Sequence, residues 1–298
     1  MPLNVGTWFA SFIDWSLANF GWFFDAVSWL VSLLVGNVEA VFVGLHPILI
    51  IAVLAGAAAF LTRSLGLTIY SVLALLLIVS MGLWVESMST LAVVLVSVVF
   101  SLAIGIPVGI WAALNSKVSA VVRPVLDLMQ AMPVFVYLIP AVFFFGVGMV
   151  PGIAATIIFA IPPAVRLTEL GIRKLDADLL EAATAFGAKK SLILKDIQLP
   201  LAFASIMAGV NQVIMLALSM VVVAGLVGAG GLGGVVVQGV AQLDTARGFE
   251  GGLAVVILAI YLDRVTSGAR SIGDVLRSRR IRKAQRNDVK APAPAAAV

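Results

Sequence analysis

Two stretches of this chain hold residue types at a spacing that could do chemistry. The first, Gly228-x-Gly230-x-x-Gly233, has the spacing with which backbone N–H groups cradle a dinucleotide pyrophosphate. That use requires a β-strand ahead of the glycines, and a long apolar run over 201–224 precedes them instead. Residues 225–234 are therefore expected to be an unwound segment of backbone and not a nucleotide site. The phosphate-cradling pattern GxxxxGK[ST] does not occur, so ATP, if it is the energy source, is expected on another polypeptide. His46, the single histidine, stands beside Pro47 at the start of an apolar run and reads as a helix-start residue without partner ligands. With no cysteine, thiolate metal sites, disulfides and cysteine nucleophiles are excluded. No catalytic residue and no metal site is expected.

The second stretch, 178–200, is a polar and charged island between apolar runs, and its chemistry is recognition. Asp178 and Glu181 have capping-box spacing, which predicts a helix start. Leu179, Leu180, Ala183 and Phe186 then fall on one apolar face. Gly187 is placed where a helix must stop, because glycine takes the left-handed conformation at little steric cost. A second helical piece with Leu192, Ile193 and Ile197 is expected to end at Leu199-Pro200, where proline can begin the next helix. Two short helices at an angle result, too short to span a membrane, and the bland alternative is an amphipathic connector.

The elements that position this island are apolar helices. Of 298 residues, 62% are hydrophobic and 11% charged, far from the ~45–50% apolar of a soluble domain, which indicates an all-α polytopic membrane protein. Lys and Arg are absent before Arg63, whereas nine of the nineteen lie from Arg264 onward. Basic residues mark the cytoplasmic side, so the N-terminus is expected outside and the C-terminus inside. A charged n-region is missing, so a cleaved secretory signal is not expected.

Four parts are expected. Residues 1–43 carry Trp8, Trp15, Trp22 and Trp29 in one stripe, with Asp14 and Asp25 to one side. This predicts an interfacial amphipathic helix outside, with a first span over 20–43 as the alternative. Residues 44–87 hold two accessory spans, 46–62 and 66–84. Residues 88–268 form the core, with spans over 88–114, 129–149, 153–168, 201–224 and 251–267, for about seven in all. Gly105 and Gly109 offer a surface for close helix contact, Met132-Pro133 turns the chain back, and Asp127 is expected to pair with Arg123 one turn before it. Residues 269–298 read as a basic, disordered cytoplasmic tail facing lipid headgroups, and nucleic acid is not an expected partner.

Glu181-Ala182-Ala183, Gly187, Ile197, Leu199 and Pro200 together spell EAA-x3-G-x9-I-x-LP, which resembles the ABC-importer permeases. The segments 124–133, 204–212 and 228–233 are similar to the branch that imports glycine betaine, proline betaine and choline. The resemblance implies an ABC type I importer permease fold in a bacterial plasma membrane and a cytoplasmic loop that docks on an ATPase. It also implies a homodimer, two cytoplasmic ATPase subunits that bind ATP and Mg, and an external substrate-binding protein. Glu181, Ala182, Ala183, Phe186, Gly187, Ile197, Leu199 and Pro200 would be the coupling loop. Met132, Phe135, Met215 and Met220, soft walls beside the broken segments, are expected to line the path unless they are core packing. A sister importer for methionine or sulfonates would share the loop. An ion-coupled carrier should show ionisable residues in mid-membrane, whereas the charges here gather at span ends, and the glycine- and proline-broken helices argue against a plain structural anchor.

Overall fold

The computed structural model describes residues 4–288, and every regular element among them is a helix. The N-terminal helix α1 (Val5–Gly44) bends at Phe20, whose φ of −124° and ψ of 16° leave the helical region. Helices α2 (Pro47–Thr62) and α3 (Leu65–Ser80) form a hairpin whose turn is held by Arg63 at a φ of 53° and by Ser64, which caps Leu67 N–H. Next come α4 (Trp84–Leu114), α5 (Ser116–Ala131), α6 (Val134–Phe145) and α7 (Met149–Arg173). The short helices α8 (Ala177–Ala185) and α9 (Lys190–Leu192) lead through a π-turn, Ile193–Gln198, into α10 (Leu199–Ala224). A 3-10 turn, Gly225–Val227, precedes α11 (Gly231–Ala241) and α12 (Thr245–Asp288).

The core is the three-helix contact of α4, α7 and α10, and small residues make it. A Cβ on Gly105 would come within 2.5 Å of the Ala164 Cβ, and one on Gly109 within 2.7 Å of Thr168 and of the Val165 carbonyl. The helix axes can approach this closely because those positions lack side chains, the close-packing surface expected of residues 105–109. Ser101 donates across the same contact to the Ile157 carbonyl at 3.3 Å.

Among the described residues, five helices are long and apolar enough to cross a membrane, six if the bent pair Ser116–Ala131 and Val134–Phe145 is one span. About seven were expected, and of those α2 and α3 are the two apolar helices that fall short of that length. Helices α2 and α3 have 16 residues each, about 24 Å of rise, against a hydrocarbon core of about 30 Å. The apolar run that suggested a second span ends at a turn, Met81-Gly82, in which Gly82 takes a φ of 70°. Conversely, α1 is a candidate span and not only a surface helix. Its Val31 and Val35 are buried in the main core, and Phe24 stacks on Phe144 with ring centroids 4.5 Å apart, while the four tryptophans face away. Asp14 and Asp25 lie on exposed positions along it.

At Met132-Pro133 the chain turns by 99° between α5 and α6. The proline disfavours helical backbone at the residue before it, and Met132 is extended, with ψ at 134°. The glycine stretch is less open than expected. Only Gly228 to Gly230 leaves the helical path, and α11 then packs so tightly that a Cβ on Gly233 would lie 2.3 Å from the Val221 carbonyl. Helix α12 continues to Asp288, through a segment expected to be without structure, and 289–298 lie outside the described residues.

Candidate functional site

Helix α8 extends from the end of α7 and has no buried residue. Asp176 and not Asp178 starts it: the Asp176 carboxylate accepts from Asp178 N–H at 3.0 Å. Asp178 lies instead in the first turn, where its charge meets the positive end of the helix dipole. The end is a paired closure. Ala188 N–H donates to Ala183 C=O at 3.1 Å and Gly187 N–H to Thr184 C=O at 2.9 Å, with Gly187 at a φ of +79°. This is the hydrogen-bond pattern of a glycine-closed helix. Glu181 and Ala182 are exposed, Ala183 is half-buried, and Phe186, the last residue before the glycine, is 92% exposed. An aromatic ring so exposed on a short helix offers a contact to another surface.

The second helical piece does not stop at Pro200 as expected. Ile197 lies in the π-turn, and Leu199 and Pro200 are the first residues of α10. Proline cannot donate a hydrogen bond, and the widened turn absorbs that loss: Leu199 N–H donates to Leu194 C=O, five residues back. The helix is continuous from Lys190 to Val227.

Where α7 approaches α8, ion pairs tie it to its neighbours. Glu169, 3% exposed, accepts from Ser119 Oγ at 2.7 Å and from Arg123 Nη2 at 2.9 Å, and pairs with Arg173 Nε at 3.0 Å. Arg173 also donates to Ala112 C=O at 2.7 Å. Asp127 pairs with Arg166 across the α5–α7 contact and not with Arg123, as the local spacing had suggested. Each of the two carboxylates takes one cation from the facing helix because α5 runs alongside α7. Sequence reasoning used Glu169 only as a marker of a span end. Its signal is an acid four residues before Arg173 and three after Arg166 in an otherwise apolar helix.

The expected path residues do not share one surface. Met220 is 0% exposed in a small core with Tyr137, Leu138, Ala141 and Ala155, and Met132 packs partly against it. Phe135 lines an apolar cavity of about 370 Å³ with Leu138, Val142 and Leu226. Met215 lines a different one, of about 400 Å³, whose polar lining is Gln130, Asn211 and Gln212. Those three amides were not expected, although carboxamides inside apolar runs were visible in the sequence. Among the described residues, no group of histidines or acids could hold a metal ion.

Residues 105–269 match the model of the family described as binding-protein-dependent transport system inner membrane component. The chain is 46% identical over 260 residues to the glycine betaine transport system permease protein of Bacillus subtilis, covering 87% of this chain and 92% of that protein. It is 43% identical over 279 residues to the glycine betaine/proline betaine transport system permease protein of Escherichia coli, covering 94% and 77%. A glycine betaine/carnitine transport permease protein of Listeria monocytogenes is 45% identical over 267 residues, 89% of this chain and 94% of that one. In structure, the chain is similar to an inward-facing MetNI methionine ABC transporter, with a TM-score of 0.56 at 24% identity over 67% of this chain and 97% of that one. That likeness is one of fold, the ABC type I importer permease fold. With its exposed, glycine-closed helix carried on a close-packed core of apolar spans, this chain belongs to the family of binding-protein-dependent transport system inner membrane components.

Proposed function

We propose that the chain is the membrane permease of an ATP-driven importer for a quaternary-ammonium osmoprotectant such as glycine betaine or proline betaine. The observation that carries the coupling part is α8, a helix with no buried residue whose closure at Gly187 fixes its direction. The solute assignment is supported by the names of relatives more than 40% identical to the chain. In this reading two copies form the path, α8 of each docks on one of two cytoplasmic ATPase subunits, and an external binding protein delivers the solute. ATP and Mg belong to the ATPase. The chain itself is no enzyme and offers a moving wall.

The reading is tested by co-expressing the chain with its ATPase and binding protein and reconstituting the complex. Glycine betaine is expected to stimulate ATP hydrolysis and to accumulate in the vesicles. Stimulation by methionine or a sulfonate in place of betaines would reassign the solute. Orientation has its own test, since the chain has no cysteine. Cysteines placed at Val147, beyond the end of α6, and at Ser191, beside the docking helix, should react with an impermeant thiol reagent from opposite sides. Reaction from the same side would remove the docking assignment as well.

A further inference from the structure

We propose that Gln130, Asn211 and Gln212 form a polar subsite within the spans, which receives the zwitterionic solute on its way through the permease. The proposal rests on the transport reading above. It begins from chemistry: a carboxamide offers N–H donors and a carbonyl acceptor to whatever occupies the space beside it. Here three carboxamides from two elements converge on one cavity of about 400 Å³, completed by Pro163, Met215 and Leu216. That volume lies in the range of small-molecule pockets.

Two kinds of amide meet there. Asn211 is fixed at both ends, donating to Asp263 Oδ1 at 2.7 Å and accepting from Thr266 Oγ1 at 2.8 Å. Gln130 and Gln212 are exposed and have no side-chain hydrogen bond among the described residues. Gln130 stands two residues before the break at Met132, and Gln212 stands on α10 beside the anchored Asn211. Each carries free N–H donors for a carboxylate and a carbonyl dipole for a cation. Behind Asn211, the Asp263 carboxylate holds the amide in place and is itself 3.9 Å from Arg264 Nε. The Met215 thioether supplies a polarizable surface against methyl groups. A small solute with a quaternary ammonium at one end and a carboxylate at the other matches this division.

The test uses the reconstituted complex of permease, ATPase and binding protein, with radiolabelled glycine betaine and proline betaine as probes. Gln212→Met and Gln130→Met keep side-chain length and remove every hydrogen-bonding group. Each is expected to lower uptake about 10-fold and to change the ratio of the two solutes about 3-fold. Co-purification with the ATPase should stay at the wild-type level. Because the binding protein is unaltered, a changed ratio can come only from the permease. Wild-type rates and ratios in both variants would overturn the subsite, as would an equal loss for both solutes. A wild-type complex that takes up neither betaine overturns the transport reading instead. Should neither methionine variant assemble, Gln212→Cys decides, since it is then the sole cysteine. Glycine betaine under turnover should slow its labelling by a thiol reagent, and unchanged labelling refutes the proposal.

Discussion

Gly187→Val is expected to lower uptake by at least about 5–30-fold and to weaken co-purification of the ATPase while leaving membrane insertion and yield unchanged. The reason is conformational. Gly187 has a φ of +79°, and no atom lies within 4 Å of where its Cβ would be, so a side chain meets no clash. What it meets is the left-handed backbone itself, about 1–2 kcal/mol for an L-residue and more when β-branched. That cost reduces the docking-competent geometry about 5–30-fold. Because α8 has no buried residue, the loss stays local to its aim. Gly187→Asn should keep most activity, since asparagine visits this conformation. Ala183→Trp, which alters the docking face and not the bend, should also block ATPase association. Should Gly187→Val and Ala183→Trp both retain wild-type uptake and co-purification, the stretch 178–200 is a connector.

Glu169→Leu is expected to destabilise the protein by about 3 kcal/mol, the low end for breaking a buried ion pair because both arginine partners keep access to solvent. It strands Arg123 and Arg173 and removes the acceptor of Ser119 Oγ at the point where α7 hands over to α8. Thermal unfolding in detergent should move to lower temperature, and uptake should fall with it. Asp127→Asn is the contrast. Its pair with Arg166 is exposed on both sides, so a change of no more than about 1 kcal/mol is expected. If the two substitutions cost the same, the buried carboxylate is not the tie between α5 and α7.

The parts legible in the sequence were those where a residue's own conformational limits decide the outcome. Gly187 closes a helix, Met132-Pro133 breaks one, and Gly105 and Gly109 let two helices meet. The parts that were not legible depend on what lies opposite. Arg123 has an acid one helical turn away, yet its partner is Glu169 on another helix. Met220 resembles Met215 in sequence, but one is sealed in a core and the other lines a cavity. Helix α11 was hidden because glycine is a poor helix former in isolation. There it is tolerated because Gly233 and Gly239 allow backbone contacts with α10 and α12 that any side chain would prevent. Hydropathy likewise could not separate α2 and α3 from longer spans, since both are as apolar as a crossing helix and present Val53, Phe60, Ile69 and Leu73 outward.

The π-turn at Ile193–Gln198 has a mechanical consequence. Because it carries the helix through Pro200 without a break, the end beside α8 and the glycine turn at 225–230 belong to one rod of 38 residues, about 57 Å long. Near its midpoint Gly209 lies against the Pro163 carbonyl of α7, where a Cβ would be 3.3 Å away. The same helix also meets α7 on either side of that point, at Gly171 beside Ser205 and at Gly152 beside Ala224, so rod and α7 form one packed body. A tilt of that body by about 10° about its middle carries each end of the rod about 5 Å, and in opposite directions. Closing one end of the bundle and opening the other is then a single movement of a single body.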